Sequence, residues 1–580
     1  MNHISKTDPA IASAESSGNR RLATVVTVTA GLYWAFQVGW FWRYCVHAIN
    51  ADAVSYIGIA RHIREGDFAA SLHGYWSPLI SWLLAASLFG DHTQSAHMLM
   101  LALFVLCQML TCLLAQNLWG SRLLSAVAVL WFTAARGVAA FSVCFIGADL
   151  ALTAAMLAYF IVLLACLRKP ENWRRWVLLG MIHASAFLAK SIAMPLFALT
   201  TGLAVLSIRG QVRAQSAIHA LLLAAIFPLL TWLGWGTALH QKYGVFTSGY
   251  QLRWNLLDPT TKQAASRGAG LHVLTDTRQI YDSYMVSDSM PPGSPLWHVR
   301  ILQAGLLDQI VGREIQNLPE AAKQLFVLLT PGGMLALILS LIQIIRARRQ
   351  YPVHFRWTAC ILSSVIALIL AYCMLVFDGR YVLPITPLLI ALSVRWAVPT
   401  KWSLAPTGFG AAPDAGRWQM LASGLLAAGL IFVQLYWASP FRTIDRDFQR
   451  SVYDAAKILK DAHAETVVSI GEGPYPQHGV GWEAGMYTVY FSHSRIVGML
   501  FDLPDNSGQN SIIHDISELS PDAVMVWGSD AMYSSLVSKL QATYPDRSAK
   551  LITDPRKGAV GTILGRPTVD HTLVDHTLSD

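Results

Sequence analysis

The chain has 580 residues, 54% of them hydrophobic and 13% charged, where a soluble globular protein carries roughly 45–50% and about 25%. Together with a mean hydropathy of +0.42, this excludes a soluble enzyme, because a soluble fold must coat itself in charge. The formal charge of +8, from 43 Lys and Arg against 35 Asp and Glu, raises nucleic acid as a partner, and the placement of those cations along the chain removes it.

Residues 1–21 are polar, end in Arg20-Arg21, and read as a disordered cytoplasmic tail. A helix needs about 20 mainly apolar residues to cross a hydrocarbon core of roughly 30 Å. The first such run is 22–42, too long for a signal peptide and followed by no small-residue cleavage site, so it reads as a signal anchor. Further runs occupy 96–119, 122–141, 147–167, 176–191, 193–208, 217–237, 324–345, 357–377, 381–398 and 418–438. The pattern predicts a mostly α, polytopic membrane protein of about eleven transmembrane helices. With the N-terminus inside, the cytoplasmic ends receive Arg122, Arg168, Lys169, Arg174, Arg175, Arg209, Arg213, Arg346, Arg348 and Arg349, and the opposite short loops few cations. That asymmetry accounts for much of the positive charge.

Three large pieces then lie outside: the loop 43–95, the loop 238–323 and the tail after 438. The expected organisation is a transmembrane domain over 22–438, an extracytoplasmic α/β domain over 439–565 and a disordered end over 566–580, which holds the repeat Val569 to Leu573 and Val574 to Leu578. All seven Cys precede residue 374, most inside apolar runs, and read as small apolar fillers without a disulfide framework or CxxC metal spacing.

The first outer loop opens with Asp52. Val54, Ile57, Ile59 and Ile63 then alternate with Arg61, His62, Arg64 and Glu65 as in a helix lying along the interface. The apolar stretch Pro78 to Phe89 is too short to span and reads as a second interfacial helix, held by Trp76 and Trp82. His47, His62 and His73 share this loop, but their spacings match no compact metal motif.

Asp52, Tyr56, Ala60-Arg61, Gly66-Asp67 and Trp76 with Pro78-Leu79 resemble the first loop of the GT-C glycosyltransferases, polytopic enzymes that use polyprenyl-phosphate-linked sugars. Among these the sequence is similar to the bacterial aminoarabinose, galacturonic acid and protein mannosyl transferase relatives. Asp149 at the start of a span, Lys190 after Phe187-Leu188-Ala189, and Arg380-Tyr381 with Pro384 and Pro387 extend the resemblance over residues 20–400. Ala53 stands where relatives often carry a second acidic residue, a departure that weakens any metal bridged by a carboxylate pair; no metal ligand is assigned and a divalent cation stays open.

The resemblance implies transfer of one sugar, with inversion, from a polyprenyl phosphate to a hydroxyl or amine of a glycan, glycolipid or protein. The place would be the outer face of the bacterial cytoplasmic (inner) membrane. Such a reaction needs a base and cations for the departing phosphate. Asp52 and Asp149 are the catalytic candidates, Asp52 as base; Lys190, Arg380, Tyr381 and Arg61 are the candidates for the donor phosphate, Tyr56 and Trp76 for substrate. Each has a plainer reading: Asp149 complements a helix dipole, and Lys190 and Arg380 snorkel to the interface. The loop 238–323, with Trp254-Asn255, Asp258, Asp276, Asp282 and Asp288, resembles the variable loop that in relatives closes over the donor. Two rival classes stay open, a transporter or flippase of a lipid-linked saccharide and a non-catalytic scaffold.

After Asp445 the composition is that of a soluble domain. Phe448, Val452, Ala455 and Leu459 share a helical face; Thr466 to Ile470 and Ala523 to Trp527 read as strands, Tyr487 to Phe491 as an extended stretch and Ala531 to Leu540 as a helix. Gly471-Glu472-Gly473 precedes Pro474 and Pro476 where a phosphate-binding helix would start, and so fails as a nucleotide turn.

Overall fold

The computed structural model describes residues 17–45, 49–90, 92–135, 142–209, 211–244, 246–249, 272–273, 306–346, 348–374, 379–396, 421, 424–430, 448–471, 482–492, 494–500, 509–528, 531–554 and 558–565. The chain divides into two compact units, one of Met1–His47, Ser71–Leu256 and Pro292–Phe441, the other of Ala48–Ala70, Leu257–Pro291 and Arg442–Asp580. In chain order the helices are α1 (Ser17–Cys45), α2 (Ala51–Glu65), α3 (Pro78–Ser87), α4 (His92–Trp119), α5 (Arg122–Ala134), α6 (Asp149–Arg168), α7 (Trp173–Ala189), α8 (Ala193–Ile208), α9 (Ala214–Tyr243), α10 (Leu306–Arg346), α11 (Pro352–Cys373), α12 (Thr386–Ser393), α13 (Phe448–Asp461), α14 (Trp482–Ser492), α15 (Gln509–Leu519) and α16 (Ala531–Thr543).

The first unit is helical. Among the described residues, six of its helices are long and apolar enough to cross a membrane: Asn19–Trp42 within α1, α4, α6, α9, Val311–Arg346 within α10, and α11. The remaining expected spans are shorter. Helices α5, α7 and α8 have 13, 17 and 16 residues. The stretch 381–398 is a 3-10 turn, Gly379–Val382, followed by the eight residues of α12, and 418–438 falls largely outside the described residues. The reason is local between α7 and α8, where Lys190 adopts an extended backbone (φ −152°, ψ 129°) and ends α7. Residues 306–323, expected in an outer loop, are helical and continue into the span, with a break at Thr330 (φ +65°) before Pro331.

Large apolar side chains face outward along the long helices, among them Val28, Leu32 and Phe36 of α1, Met109 of α4 and Leu222 and Leu230 of α9; lipid accepts this and water does not. Inside, with lipid tails as apolar as the core, close packing and polar contacts join the helices. Thr200 Oγ1 and Ser364 Oγ lie 2.5 Å apart between α8 and α11, and the Trp357 indole donates to the Phe160 carbonyl at 2.8 Å. Helices α7 and α9 approach so closely that a Cβ on Gly180 would stand 2.7 Å from the Ala224 carbonyl oxygen. Gly180→Leu is therefore expected to force them apart at a cost of about 1–3 kcal/mol; a thermal melt in detergent unshifted by the substitution would contradict this packing.

The second unit is α/β. Its sheet has the order β1-β3-β2-β4-β6-β5, from β1 (His272–Val273), β2 (Thr466–Ile470), β3 (Arg495–Leu500), β4 (Ala523–Trp527), β5 (Ser548–Asp554) and β6 (Gly558–Gly565). Strands β3, β2 and β4 are parallel, and the outer strands pair antiparallel. Val468, Ile470, Val524 and Val526 pack with Ile512, Ile516, Leu536 and Leu540 on one face. Helices α13 and α14 pack on each other, and α14 meets β2 and β3. The strands 466–470 and 523–527 stand where their apolar runs predicted. The stretch Tyr487 to Phe491 is instead helical, within α14, where Tyr487, Thr488, Val489 and Tyr490 are all buried, and tertiary packing overrides the β preference of aromatic residues. Helix α2 belongs to this unit, and in it Val54, Ile57 and Ala60 are buried.

The reading of every Cys as a filler fails at Cys144, which is disulfide-bonded; Cys107, Cys112, Cys166, Cys360 and Cys373 are free. Pairing depends on Cα atoms meeting within about 7 Å in space, which spacing along the chain does not reveal.

Candidate functional site

Asp149, a catalytic candidate, and Lys190, Arg380 and Tyr381, candidates for the donor phosphate, converge in the first unit. Asp149 opens α6 with its side chain 2% exposed, and Lys190, between α7 and α8, is 13% exposed. The Lys190 ammonium donates to Asp149 Oδ1 at 2.5 Å across 41 residues of sequence. Two stacked phenol rings stand beside it: Tyr372 of α11 and Tyr381 of the 3-10 turn, 4.1 Å between centroids and 7° from parallel. Lys190 Nζ lies 4.9 Å from the centre of the Tyr381 ring and 5.7 Å from that of Tyr372. The Arg380 guanidinium sits 4.8 Å from the Phe145 ring centre and 5.3 Å from that of Tyr381.

Each position follows from local structure. The break at Lys190 turns its side chain out of the α7 register; the 3-10 turn puts Arg380 and Tyr381 side by side; and Asp149 sits in a first turn, where a carboxylate also complements the helix dipole. An aromatic shelf holding two cations, one of them anchored by a carboxylate, is suited to an anion such as a phosphate, because the rings lower the local dielectric and the two positive charges stand together. One Lys190 N–H is committed to Asp149.

Trp76 stands elsewhere in the same unit, 5% exposed, at the wall of a cleft with Tyr75, Phe187 and Trp235. His73 has a role that its spacing did not reveal: it is buried, and its Nδ1 accepts the amide N–H groups of Tyr75 and Trp76 at 3.2 and 3.3 Å. Burial first, and then the Lys242 ammonium, push His73 down to about 3, so the ring is neutral and keeps that lone pair.

Asp52, Tyr56 and Arg61 lie on α2 of the second unit. Asp52 is in the first turn and half-buried; Tyr56 is buried. The Arg61 guanidinium lies 5.0 Å from the centre of the Tyr490 ring of α14, a contact that gives it a structural partner. Trp254, Asn255, Asp258, Asp276, Asp282, Asp288 and His47 lie outside the described residues. Among the described residues no group of three His, Cys, Asp or Glu side chains is placed to hold a metal. Sequence reasoning missed Tyr372, Phe145 and Lys242: an aromatic residue inside an apolar run, one just before it, and a Lys at a helix end carry no signal until the chain folds.

No family model matches the chain, and no curated protein does. Solved structures do. ArnT from Cupriavidus metallidurans bound to undecaprenyl phosphate aligns with a TM-score of 0.51 at 13% identity, covering 94% of this chain and 98% of that one; its apo form gives 0.52 at 13%, covering 95% and 99%. The chain has the GT-C fold. The Archaeoglobus fulgidus oligosaccharyltransferase, solved in complex with zinc and sulfate, aligns with a TM-score of 0.50 at 12% identity over 92% of this chain and 72% of that one. The GT-C fold and the six apolar helices make this an integral membrane protein.

Proposed function

We propose that the protein is a membrane glycosyltransferase that moves a single sugar from a polyprenyl phosphate to an acceptor hydroxyl or amine on the extracytoplasmic face of the bacterial inner membrane. The observation that carries this is the anchored cation cluster, Lys190 on Asp149 beside Arg380 over Tyr381 and Phe145, in a fold shared with ArnT crystallised with undecaprenyl phosphate. Lys190 and Arg380 hold the phosphate and take up the charge that develops on it as the bond to the anomeric carbon breaks. Asp149 fixes Lys190; committed to that ion pair, it is a positioning residue and leaves the base role to Asp52.

Asp52 takes the acceptor's proton as the acceptor oxygen or nitrogen attacks the anomeric carbon from the face opposite the phosphate. One bond to that carbon forms and one breaks, the configuration inverts, and polyprenyl phosphate leaves. The residues that support a role for Asp52 are those of the first-loop resemblance together with its place, half-buried, in the first turn of α2.

The outward orientation has two supports: the cation bias of the expected cytoplasmic ends, and the disulfide at Cys144, since disulfides persist in oxidising compartments. Cys144 is next to Phe145, the ring under Arg380. In intact cells Cys144 is expected to resist an impermeant maleimide and to react once an impermeant reductant is added; failure to label after that reduction, with labelling only once the cells are opened, contradicts the orientation.

The function is tested with purified protein in proteoliposomes given radiolabelled polyprenyl-phosphate sugars and acceptor extracts. Release of polyprenyl phosphate with label on the acceptor supports transfer. Label carried across the bilayer with the donor intact supports the flippase reading instead.

A further inference from the structure

Cations gather at the end of the helices opposite Asp149 and Lys190. Helix α6 has 20 residues and so a length of about 30 Å, which sets Arg168 at its end a hydrocarbon thickness away from Asp149 at its start. Arg168 Nη2 donates to the Asn117 carbonyl of α4 at 2.6 Å, and Arg175 Nη1 of α7 donates to the Ala165 carbonyl of α6 at 2.5 Å. Arg395, just past α12 and 8% exposed, has its guanidinium 5.5 Å from the centre of the Trp119 ring of α4. The His354 ring of α11 hydrogen-bonds to the Leu118 carbonyl, with the charges of Arg168 and Arg395 bearing on it, and that of Arg175 bears on Arg168.

Acid does not balance this gathering. Within 168–175, Arg168, Lys169, Arg174 and Arg175 stand against Glu171 alone, and among the described residues the Arg168 and Arg175 guanidiniums bond to backbone carbonyls rather than to a carboxylate. Positive charges brought this close repel one another and favour an anion between them, and the guanidinium fork matches a phosphate. The surroundings are those of a lipid. Trp173 is exposed with the Arg174 guanidinium 5.7 Å from its ring centre, an indole of the kind that sits where a bilayer meets water. Arg174, Leu178 and Met181, four and then three residues apart, share one face of α7 and are all exposed, so a cation is followed along the helix by apolar side chains open to acyl chains.

We propose that this end of the first unit, the expected cytoplasmic one, binds an anionic phospholipid, its phosphate held by Arg168 and Arg175 and its acyl chains lying along Leu178 and Met181. Basic pockets between membrane helices recognise such headgroups through this chemistry. The count of cations that orients a membrane protein requires only that they lie on one side; here they are brought together from α6, α7 and the end of α12 around the end of α4. A zwitterionic headgroup adds an ammonium to a region that is already positive and is the disfavoured class. The lipid binds the folded arrangement, in which these helices meet, and so stabilises it by mass action. The site is separate from the donor cluster and does not depend on the transferase reading.

The test is native mass spectrometry of the delipidated full chain in detergent, with phosphatidylglycerol, phosphatidylethanolamine and inorganic phosphate as probes. Phosphatidylglycerol is expected to bind about tenfold more tightly than phosphatidylethanolamine, or better, to raise the melting temperature, and to stay bound when inorganic phosphate is added at the same concentration. Arg168→Gln with Arg175→Gln is expected to lose both the preference and the rise in melting temperature, whereas Arg380→Ala, at the other end of the helices, keeps them. Arg168→Gln alone, at an exposed position, is expected to weaken the preference severalfold, which keeps the proposal testable if the double variant does not fold. Equal affinity for the two lipids, displacement by inorganic phosphate, or a preference that survives the substitutions at Arg168 and Arg175 overturns the proposal. Loss of the preference in Arg380→Ala overturns it as well, because the anion then sits at the donor cluster.

Discussion

Asp52→Asn is expected to cut sugar transfer by orders of magnitude while donor binding persists. Asn keeps the size and polarity of the side chain but takes no proton, and loss of a positioned general base costs about 10²–10⁴ in turnover. With the phosphate contacts proposed for Lys190 and Arg380, the affinity for polyprenyl phosphate is expected to stay within about twofold, far less than the tenfold that about 1.4 kcal/mol represents. Turnover by the purified variant within threefold of wild type would remove Asp52 as the base; loss of donor affinity instead of turnover would make it a binding residue.

The second large effect concerns Asp149 and Lys190. Their ion pair, with side chains 2% and 13% exposed, is nearly out of water. Removing one partner leaves the other uncompensated, at about 3–5 kcal/mol, whereas replacing both with apolar groups of similar volume is often close to neutral. Asp149→Leu alone is therefore expected to destabilise strongly, and Asp149→Leu with Lys190→Met to recover most of the lost melting temperature. The double variant folds yet loses donor binding, because the cation is gone. That separation distinguishes a positioning carboxylate from a catalytic one. If Asp149→Asn kept wild-type stability and donor affinity while losing turnover, Asp149 would be a proton carrier and the roles assigned here would be exchanged.

The long apolar helices and the parallel strands β2 and β4 were legible because each has a period or a run that the chain states locally, whereas β3 (Arg495–Leu500) was not. Helix α4 and strands β2 and β4 begin and end close to where composition changes. The short helices α7 and α8 were legible as a pair because Lys190 and Pro195 interrupt the apolar run. What escaped was long-range. Asp149 and Lys190 were each identifiable, but 41 residues separate them, and nothing in the spacing says that they pair. The Tyr372 ring, stacked on Tyr381, is one apolar residue among many in α11. Tyr487 to Phe491 read as extended because their side chains suit a sheet, and the packing of α14 against β2 and β3 decided otherwise. His73 was weighed as a metal ligand for its type, when its use is as a lone-pair acceptor for two amides of a loop.

Lys190 and Arg380, set on their aromatic shelf, are proposed to hold the donor phosphate. The direct measurement is the affinity of the purified protein in nanodiscs for undecaprenyl phosphate, comparing wild type with Arg380→Ala and Lys190→Met. A charge-assisted hydrogen bond contributes about 1.5–3 kcal/mol, so wild type is expected to bind and each variant to bind at least tenfold more weakly. Equal affinity of wild type and both variants would place the phosphate elsewhere and contradict the account.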